Sequence, residues 1–333
     1  MKLRILAISI AIFMLIAAGC SNSSNKGAKE NDGGNAKGDT QTIKVAVQPW
    51  VGNGPFWIAE EKGIDEKHGI KIETVSFEQD SDMNAAFASD KVDVANLATH
   101  TTIRMKSNQD LDMKAIIFMD ESHDADAILA TKDIQSVKDF KGQKVAFEEG
   151  ATSELLLQQA LSEEGMTLDD IKTVFMPAPQ AGLSMISGDV KTAVTYAPYI
   201  KEVLDKKKDE GVHLLYTGDN SPGLISDIVV GKTKFFEDNP EAKENLRAVW
   251  DEALQYWRDH EEEGNKIVAT GSGISADELP SILSGLKFYN SEEQSEKVSS
   301  GELKKAAENI QKLMLEGGSM KNEINLDEIF DME

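Results

Sequence analysis

Two aspartates stand inside apolar segments: Asp126 in Ala125-Asp126-Ala127-Ile128-Leu129 and Asp227 in Ser226-Asp227-Ile228-Val229-Val230. A carboxylate among apolar strand residues is costly unless it is paired. Its partner is either a Lys or Arg of the chain or a positive group on a ligand. Thr152 and Ser153 stand just before a helical stretch, Glu154 to Glu164. Hydroxyls and free backbone N–H groups at such a point accept a sulfonate, carboxylate or phosphate. One of the two hydroxyls is expected to cap the helix. Trp50 ends the first apolar run, where an indole either packs in the core or stacks on a planar or cationic group. Thr99 and His100 follow a run ending at Leu97, at the carboxyl end of a strand, where open α/β sheets bind ligands. His100 reads rather as a plain surface residue.

The pattern for catalysis is absent. His68, His100, His123, His213 and His260 are scattered without metal-ligand spacing. No HExxH, P-loop, GxSxG or dinucleotide fingerprint occurs. Gly52-Asn53-Gly54 is a glycine-rich turn, but it lacks the third glycine of that fingerprint. No metal, no cofactor and no enzymatic activity are therefore expected.

Lys2 and Arg4 precede a short apolar run, Leu6 to Ala18, laid out as an export signal and too short to span a bilayer comfortably. The run ends at Ala17-Ala18-Gly19-Cys20, and Cys20 is the single cysteine of the 333 residues. No internal disulfide can form, and small residues before the cysteine suit cleavage of a lipoprotein signal. Residues 1–19 read as that signal and Cys20 as the lipid attachment point, which places the chain on the outer face of the cell membrane. Residues 20–42 lack large apolar side chains and read as a flexible tether. About 22 such residues span roughly 25 Å. The net charge of −23 falls to −25 when Lys2 and Arg4 leave with the signal. Such acidity excludes a surface patch for nucleic acid and favours solubility.

The elements that must position these residues alternate. Short apolar runs occur at Ile43–Gln48, Ile70–Ser76, Val92–Leu97, Met113–Met119, Ala125–Thr131, Gln143–Phe147, Thr173–Met176, Thr192–Tyr196, Val212–Thr217 and Ser226–Gly231. Amphipathic stretches separate most of them, which predicts an α/β protein with parallel sheets covered by helices. Pro55 and Gly63 bracket one helix. Ala242, Leu246, Val249, Ala253 and Trp257 mark the buried face of a long helix, and Leu303, Ala306, Ile310 and Leu313 that of a late one. The last third is predicted to be helical.

Several blocks together carry a resemblance. Ser136-Val137-Lys138-Asp139-Phe140-Lys141-Gly142-Gln143-Lys144-Val145-Ala146 follows the Asp126 segment, and Gly150-Ala151-Thr152-Ser153 follows that. Gly188 to Tyr199, the opening Pro55-Phe56-Trp57-Ile58-Ala59 and Phe236 to Pro240 complete the order. The chain resembles the nitrate/sulfonate/taurine family of ABC solute-binding proteins from Ile43 to about Trp257. That resemblance implies a type II periplasmic-binding-protein fold, two lobes joined by two crossover strands. Lobe 1 would be 43–128 and 226–333, lobe 2 132–222, with crossovers near Ile128–Thr131 and Leu224–Val229.

The same resemblance implies a monomer that delivers a small ligand to an ABC permease and ATPase. It implies ligand contacts at Trp50, Thr99, Asp126, Thr152, Ser153, Tyr196 and Asp227. Asp126 and Asp227 match positions that face a ligand amine in the taurine branch. Tyr196 stands where the family has Trp and Ala197 where it has Glu, which removes a possible contact to a ligand cation. A small organic nitrogen or sulfur compound is expected, either an aminosulfonate or sulfonate or a cationic guanidine or amine. The alternatives are an enzyme on the same fold, of the pyrimidine-precursor or deaminase kind, and a surface sensor or adhesin.

Overall fold

The computed structural model describes residues 41–332, within one compact unit spanning Asp39–Glu333. The expected signal, Cys20 and almost all of the tether lie outside the described residues. The described residues form eleven strands: β1 Gln41–Val47, β2 Ile70–Ser76, β3 Val94–Ala98, β4 Met113–Ser122, β5 Asp126–Ala130, β6 Lys144–Phe147, β7 Lys172–Phe175, β8 Thr192–Tyr196, β9 His213–Thr217, β10 Ser226–Lys232 and β11 Leu286–Phe288. The first ten coincide with the apolar runs. The last, in a third of the chain expected to be helical, is three residues long, too short to show a period.

The strands form two sheets, ordered β11-β4-β10-β3-β1-β2 and β7-β6-β8-β5-β9. Helices cover both, as expected, but neither sheet is wholly parallel. β1 pairs in parallel with β2 and β3, and β6 with β7 and β8. β10 runs antiparallel to β3 and β4, and β5 antiparallel to β8 and β9. The reversed strands are the ones beside the crossings: a chain leaving one sheet enters the next from the opposite end.

The first crossing is earlier than the expected Ile128–Thr131. β4 ends at Ser122, and Asp126–Ala130 already belongs to the second sheet. The crossing at His123–Ala125 is tied to the return crossing, with Ser122 N–H on the Ile225 carbonyl at 2.9 Å and Asp219 N–H on the His123 carbonyl at 2.8 Å. Two short connections lie side by side, the arrangement of a hinge.

Local chemistry explains the helix ends. Helix Gly54–Lys62 has Pro55 in its first turn and Gly63 at φ +65° as its stop, a left-handed conformation that glycine adopts without steric cost. Helix Ala242–Asp259 buries Ala242, Leu246, Val249, Ala253 and Trp257 against the first sheet, as the spacing predicts. The late helix Glu302–Glu316 packs on both halves, against Ile103 of helix Thr99–Gln109 as well as against helix Thr152–Glu163. Its Ala307, Ile310, Leu313 and Met314 share a core with Leu156 and Ala160 of helix Thr152–Glu163, beneath the second sheet. Asn309 Nδ2 donates to Gln159 Oε1 at 2.9 Å. Amphipathic spacing marks a buried face without saying which surface it buries.

Candidate ligand-binding cleft

A cleft of about 1280 Å³ opens between the sheets. It is bounded by the loops after β1 and β3 on one side and after β6 and β8 on the other, the carboxyl ends of the parallel strands. Eight carboxylates line it, from Glu78, Asp80, Asp120, Asp126, Glu148, Glu149, Asp227 and Glu278, against one cationic side chain, Arg104. Arg104 lies on helix Thr99–Gln109 and donates to the Gly150 carbonyl of the other lobe at 2.7 Å.

Three aspartates form the floor. Asp120 is on β4 and Asp227 sits directly opposite it on β10. Asp126 opens β5 opposite Tyr196 of β8, and its backbone N–H donates to Ser122 Oγ at 3.0 Å. Asp120 is 2% exposed, whereas Asp126 and Asp227 are partly open to the cleft. Like charges opposed across two strands repel, and burial penalises ionisation. Burial first, then Asp227, Asp126 and Glu121, hold the Asp120 carboxyl well above the usual range. Burial, with Asp126 and Asp80 behind it, pushes Asp227 up to about 7. The Trp50 indole N–H offsets part of that effect but completes no hydrogen bond. Burial pushes Asp126 up to about 6, against the contact with Ser122. Asp80, too, is raised by burial, opposed by Gln48 and Arg104.

Aromatic rings close the sides. Trp50 meets Tyr196 edge-on at 6.3 Å, and Tyr196 meets Tyr199 edge-on at 5.6 Å. The loop after β1 places Trp50 and the end of β8 places Tyr196, so the aromatic wall joins both lobes. Such a wall with carboxylates beneath it favours a flat cation.

The other expected contacts divide. Thr152 lines the cleft at the start of helix Thr152–Glu163. Ser153 also borders it, but its hydroxyl is held in the loop, accepting from Glu148 N–H at 3.1 Å and donating to the Glu148 carbonyl at 3.2 Å. Neither hydroxyl caps the helix, whose N-cap is Ala151. Glutamates engage N–H groups nearby: Glu154 accepts from Gly150 N–H at 2.6 Å in the loop before this helix, and Glu148 from Ala178 N–H at 3.0 Å at the start of helix Ala178–Ser187. Thr99 does not line the cleft. It is buried, with its hydroxyl 2.8 Å from Ser226 Oγ, because the chain turns directly from β3 into helix Thr99–Gln109 and points residue 99 inward. His100 is buried rather than on the surface, and burial, aided by Arg104, lowers its pKa to about 3.

Asp120, Asn53, Asn96, Asp80 and Arg104 line the cleft without having been singled out in the sequence. Asp120 carried a signal: it ends the apolar run Ile116-Ile117-Phe118-Met119, the same context that marks Asp126 and Asp227. The Asn96 amide nitrogen donates to Asn53 Oδ1, and Asn53 Nδ2 in turn to the Gln48 carbonyl at 2.8 Å. Among the described residues lining the cleft, four buried polar atoms have no partner: Asp120 Oδ2, Asn84 Oδ1, Asn96 Oδ1 and Trp50 Nε1. Among the described residues no cluster of His, Cys, Asp or Glu could hold a metal ion, and no helix is long and apolar enough to cross a membrane.

Two mixed sheets, paired crossings and a polar cleft between them define a two-lobed solute-binding protein of the periplasmic-binding-protein fold. The chain belongs to the NMT1-like family, whose profile matches residues 36–270. It is similar to a Bacillus subtilis protein named "Putative aliphatic sulfonates-binding protein", 23% identical over 298 residues, 87% of this chain and 84% of that one. It is 28% identical over 182 residues to a Brachyspira hyodysenteriae protein named "Putative ABC transporter periplasmic binding protein", covering 50% of this chain and 52% of that one. In three dimensions it resembles the periplasmic aliphatic sulphonate binding protein SsuA of Escherichia coli, with TM-score 0.70, 21% identity, and coverage of 86% of this chain and 96% of that one.

Proposed function

We propose that this chain is the extracytoplasmic solute-binding component of an ABC importer, tethered to the membrane by lipid on Cys20, and that its solute is a small organic nitrogen compound carrying positive charge. The observation that supports this reading is the cleft floor. Asp120, Asp126 and Asp227 converge there, and among the described residues no Lys or Arg neutralises them. The structural alternative for Asp126 and Asp227, a salt bridge within the chain, therefore finds no partner here. Trp50, Tyr196 and Tyr199 supply faces and edges for a planar or methylated cation. The lobes close on the solute about the paired crossings, and the closed form docks on the permease. The solute leaves chemically unchanged.

A zwitterionic aminosulfonate is the second reading. The relatives' names favour it, and so do Thr152 and Arg104 at the cleft rim. Glu148 and Glu149, which line the cleft beside that helix start, weigh against it through like-charge repulsion of a sulfonate.

A thermal-shift panel of methylguanidine, benzamidine, alkylamines, taurine, ethanesulfonate and nitrate separates the readings. A ligand at about 100 times its Kd adds about 2.7 kcal/mol to stability. Cations should raise the melting temperature and sulfonates should not; the opposite ranking rejects the cationic solute. Mass spectrometry of the recovered ligand tests the absence of turnover, with any converted product favouring an enzyme. Cys20→Ala should abolish acylation, and a variant still labelled by a fatty-acid probe would remove the anchor.

A further inference from the structure

The floor of the cleft holds more acid than one solute cation neutralises, and its most buried member has an oxygen without a hydrogen-bond partner. Asp120 is 2% exposed, and its Oδ2 has no partner. It faces Asp227 across the strand pair, with no side chain of opposite charge between them. Asn96 Oδ1 and, on helix Asp80–Ala88, Asn84 Oδ1 are unpartnered acceptors, and Trp50 Nε1 is an unpartnered donor. The complement of this set is a flat cationic group with N–H donors on adjacent edges, as in an amidinium or guanidinium, beside one acceptor atom.

Resting on the cationic-solute reading above, we infer that Asp120 and Asp227 act as one clamp, sharing a proton when the cleft is empty and surrendering it to water when the N–H edge of the cation enters. Two buried carboxyls in opposition cannot both ionise without a counter-charge. The groups facing the pair favour the same outcome. Asp126 on β5 and Asp80 on helix Asp80–Ala88 add negative charge, and so does Glu121 on β4, in part offset by its ion pair with Lys297 at 3.1 Å. The Trp50 N–H is a weak offset, and Arg104, the one cation of the lining, is engaged with Gly150. The balance is simple: one cation enters, one O–H bond of the shared carboxyl breaks, and one proton leaves to the buffer. A neutral ligand of the same shape gains no such exchange, so the clamp also sets specificity for charge.

The test is calorimetry on the full chain in mild detergent, titrating benzamidine and methylguanidine in two buffers of different ionisation heat at about pH 6. Wild type should release about one proton per cation bound. Asp120→Asn and Asp227→Asn should each bind at least about tenfold more weakly and release less than half as much. Cation binding with no proton release in wild type overturns the clamp and leaves the cationic solute standing. Binding of taurine or ethanesulfonate with no binding of either cation overturns both. A ligand-free readout remains if a variant folds poorly or the probes are poor mimics. The empty wild type should lose thermal stability as pH rises from about 5 to 8, and Asp227→Asn should flatten that loss. A wild-type profile that is flat, or as steep as the variant's, overturns the shared proton.

Discussion

Arg104 and Gly150 belong to opposite walls of the cleft, yet the guanidinium donates to the glycine carbonyl at 2.7 Å. Gly150 has φ +72°, and a Cβ there would come 3.4 Å from the guanidinium. The carbonyl is therefore presented by a backbone conformation that favours glycine. With the Trp50–Tyr196 contact, this is a direct latch between the lobes over the solute space.

Removing the latch should favour the open form. A hydrogen bond from a charged donor contributes about 1.5–3 kcal/mol when buried, and about 1 kcal/mol at this solvent-accessible rim. Arg104→Ala should thus weaken solute binding about fivefold, and small-angle scattering of the empty protein should show a larger radius of gyration. Unchanged affinity and unchanged scattering together would show that the contact does not govern closure.

The aromatic wall makes a separate prediction. A cation over an indole gains about 0.5–2 kcal/mol. Trp50→Phe keeps a ring and loses the N–H, whereas Trp50→Ala loses both. Affinity for a cationic solute should fall in the order wild type, Phe, Ala, with an Ala deficit of about tenfold or more. Equal affinities for the two variants would mean that the ring face contributes nothing.

Asp126 links the site to stability. Its pKa rises from the ordinary 3.8 to about 6 on folding. A carboxyl raised in the folded state binds more protons there than in the unfolded chain. Its contribution is therefore complete below about 4 and lost as pH climbs through about 6. His100, lowered to about 3, acts the other way, since its contribution is lost as pH falls below about 6.5. At about pH 8, Asp126→Asn should stabilise the empty protein by about 1 kcal/mol, a figure reduced for water in the open cleft. At about pH 4 it should change little. Urea unfolding at both pH values checks this, and a variant destabilised at about pH 8 would indicate a structural partner for Asp126 after all.

The late helix is open to test through Ile310, fully buried beneath helix Thr152–Glu163. Ile310→Ala should cost about 2–4 kcal/mol through lost burial and the cavity left behind. Hydrogen exchange should then rise in both Glu302–Glu316 and Thr152–Glu163. Exchange confined to the first sheet would place the helix elsewhere in solution.

Much of the scaffold was legible residue by residue. The central strands, such as β3 Val94–Ala98 and β10 Ser226–Lys232, read as nearly continuous apolar runs because strands covered on both faces hide nearly every side chain, whereas the edge strands β2 and β7 expose part of theirs. Asp126 and Asp227 stood out because a carboxylate in such a run demands a partner. Trp50 was marked by its place at a strand end and Tyr196 by the family resemblance, and both line the cleft. The same reasoning stopped one residue short of Asp120, since the run in β4 was ended at Met119 while the strand continues to Ser122.

Pairing across the chain had no local signature. Strand direction, the early crossing at His123–Ala125 and the opposition of Asp120 to Asp227 depend on register between segments roughly a hundred residues apart, which no periodicity within either segment encodes. The hydroxyls of Thr99 and Ser153 show the same limit. Residue type gave each of them a possible ligand role, but packing turned Thr99 toward Ser226 and bound Ser153 into its own loop. Composition and spacing determined which groups needed partners. The tertiary structure decided which of those needs the protein meets itself and which it leaves open in the cleft, because a buried polar atom is satisfied or not only by what the fold brings within hydrogen-bonding distance.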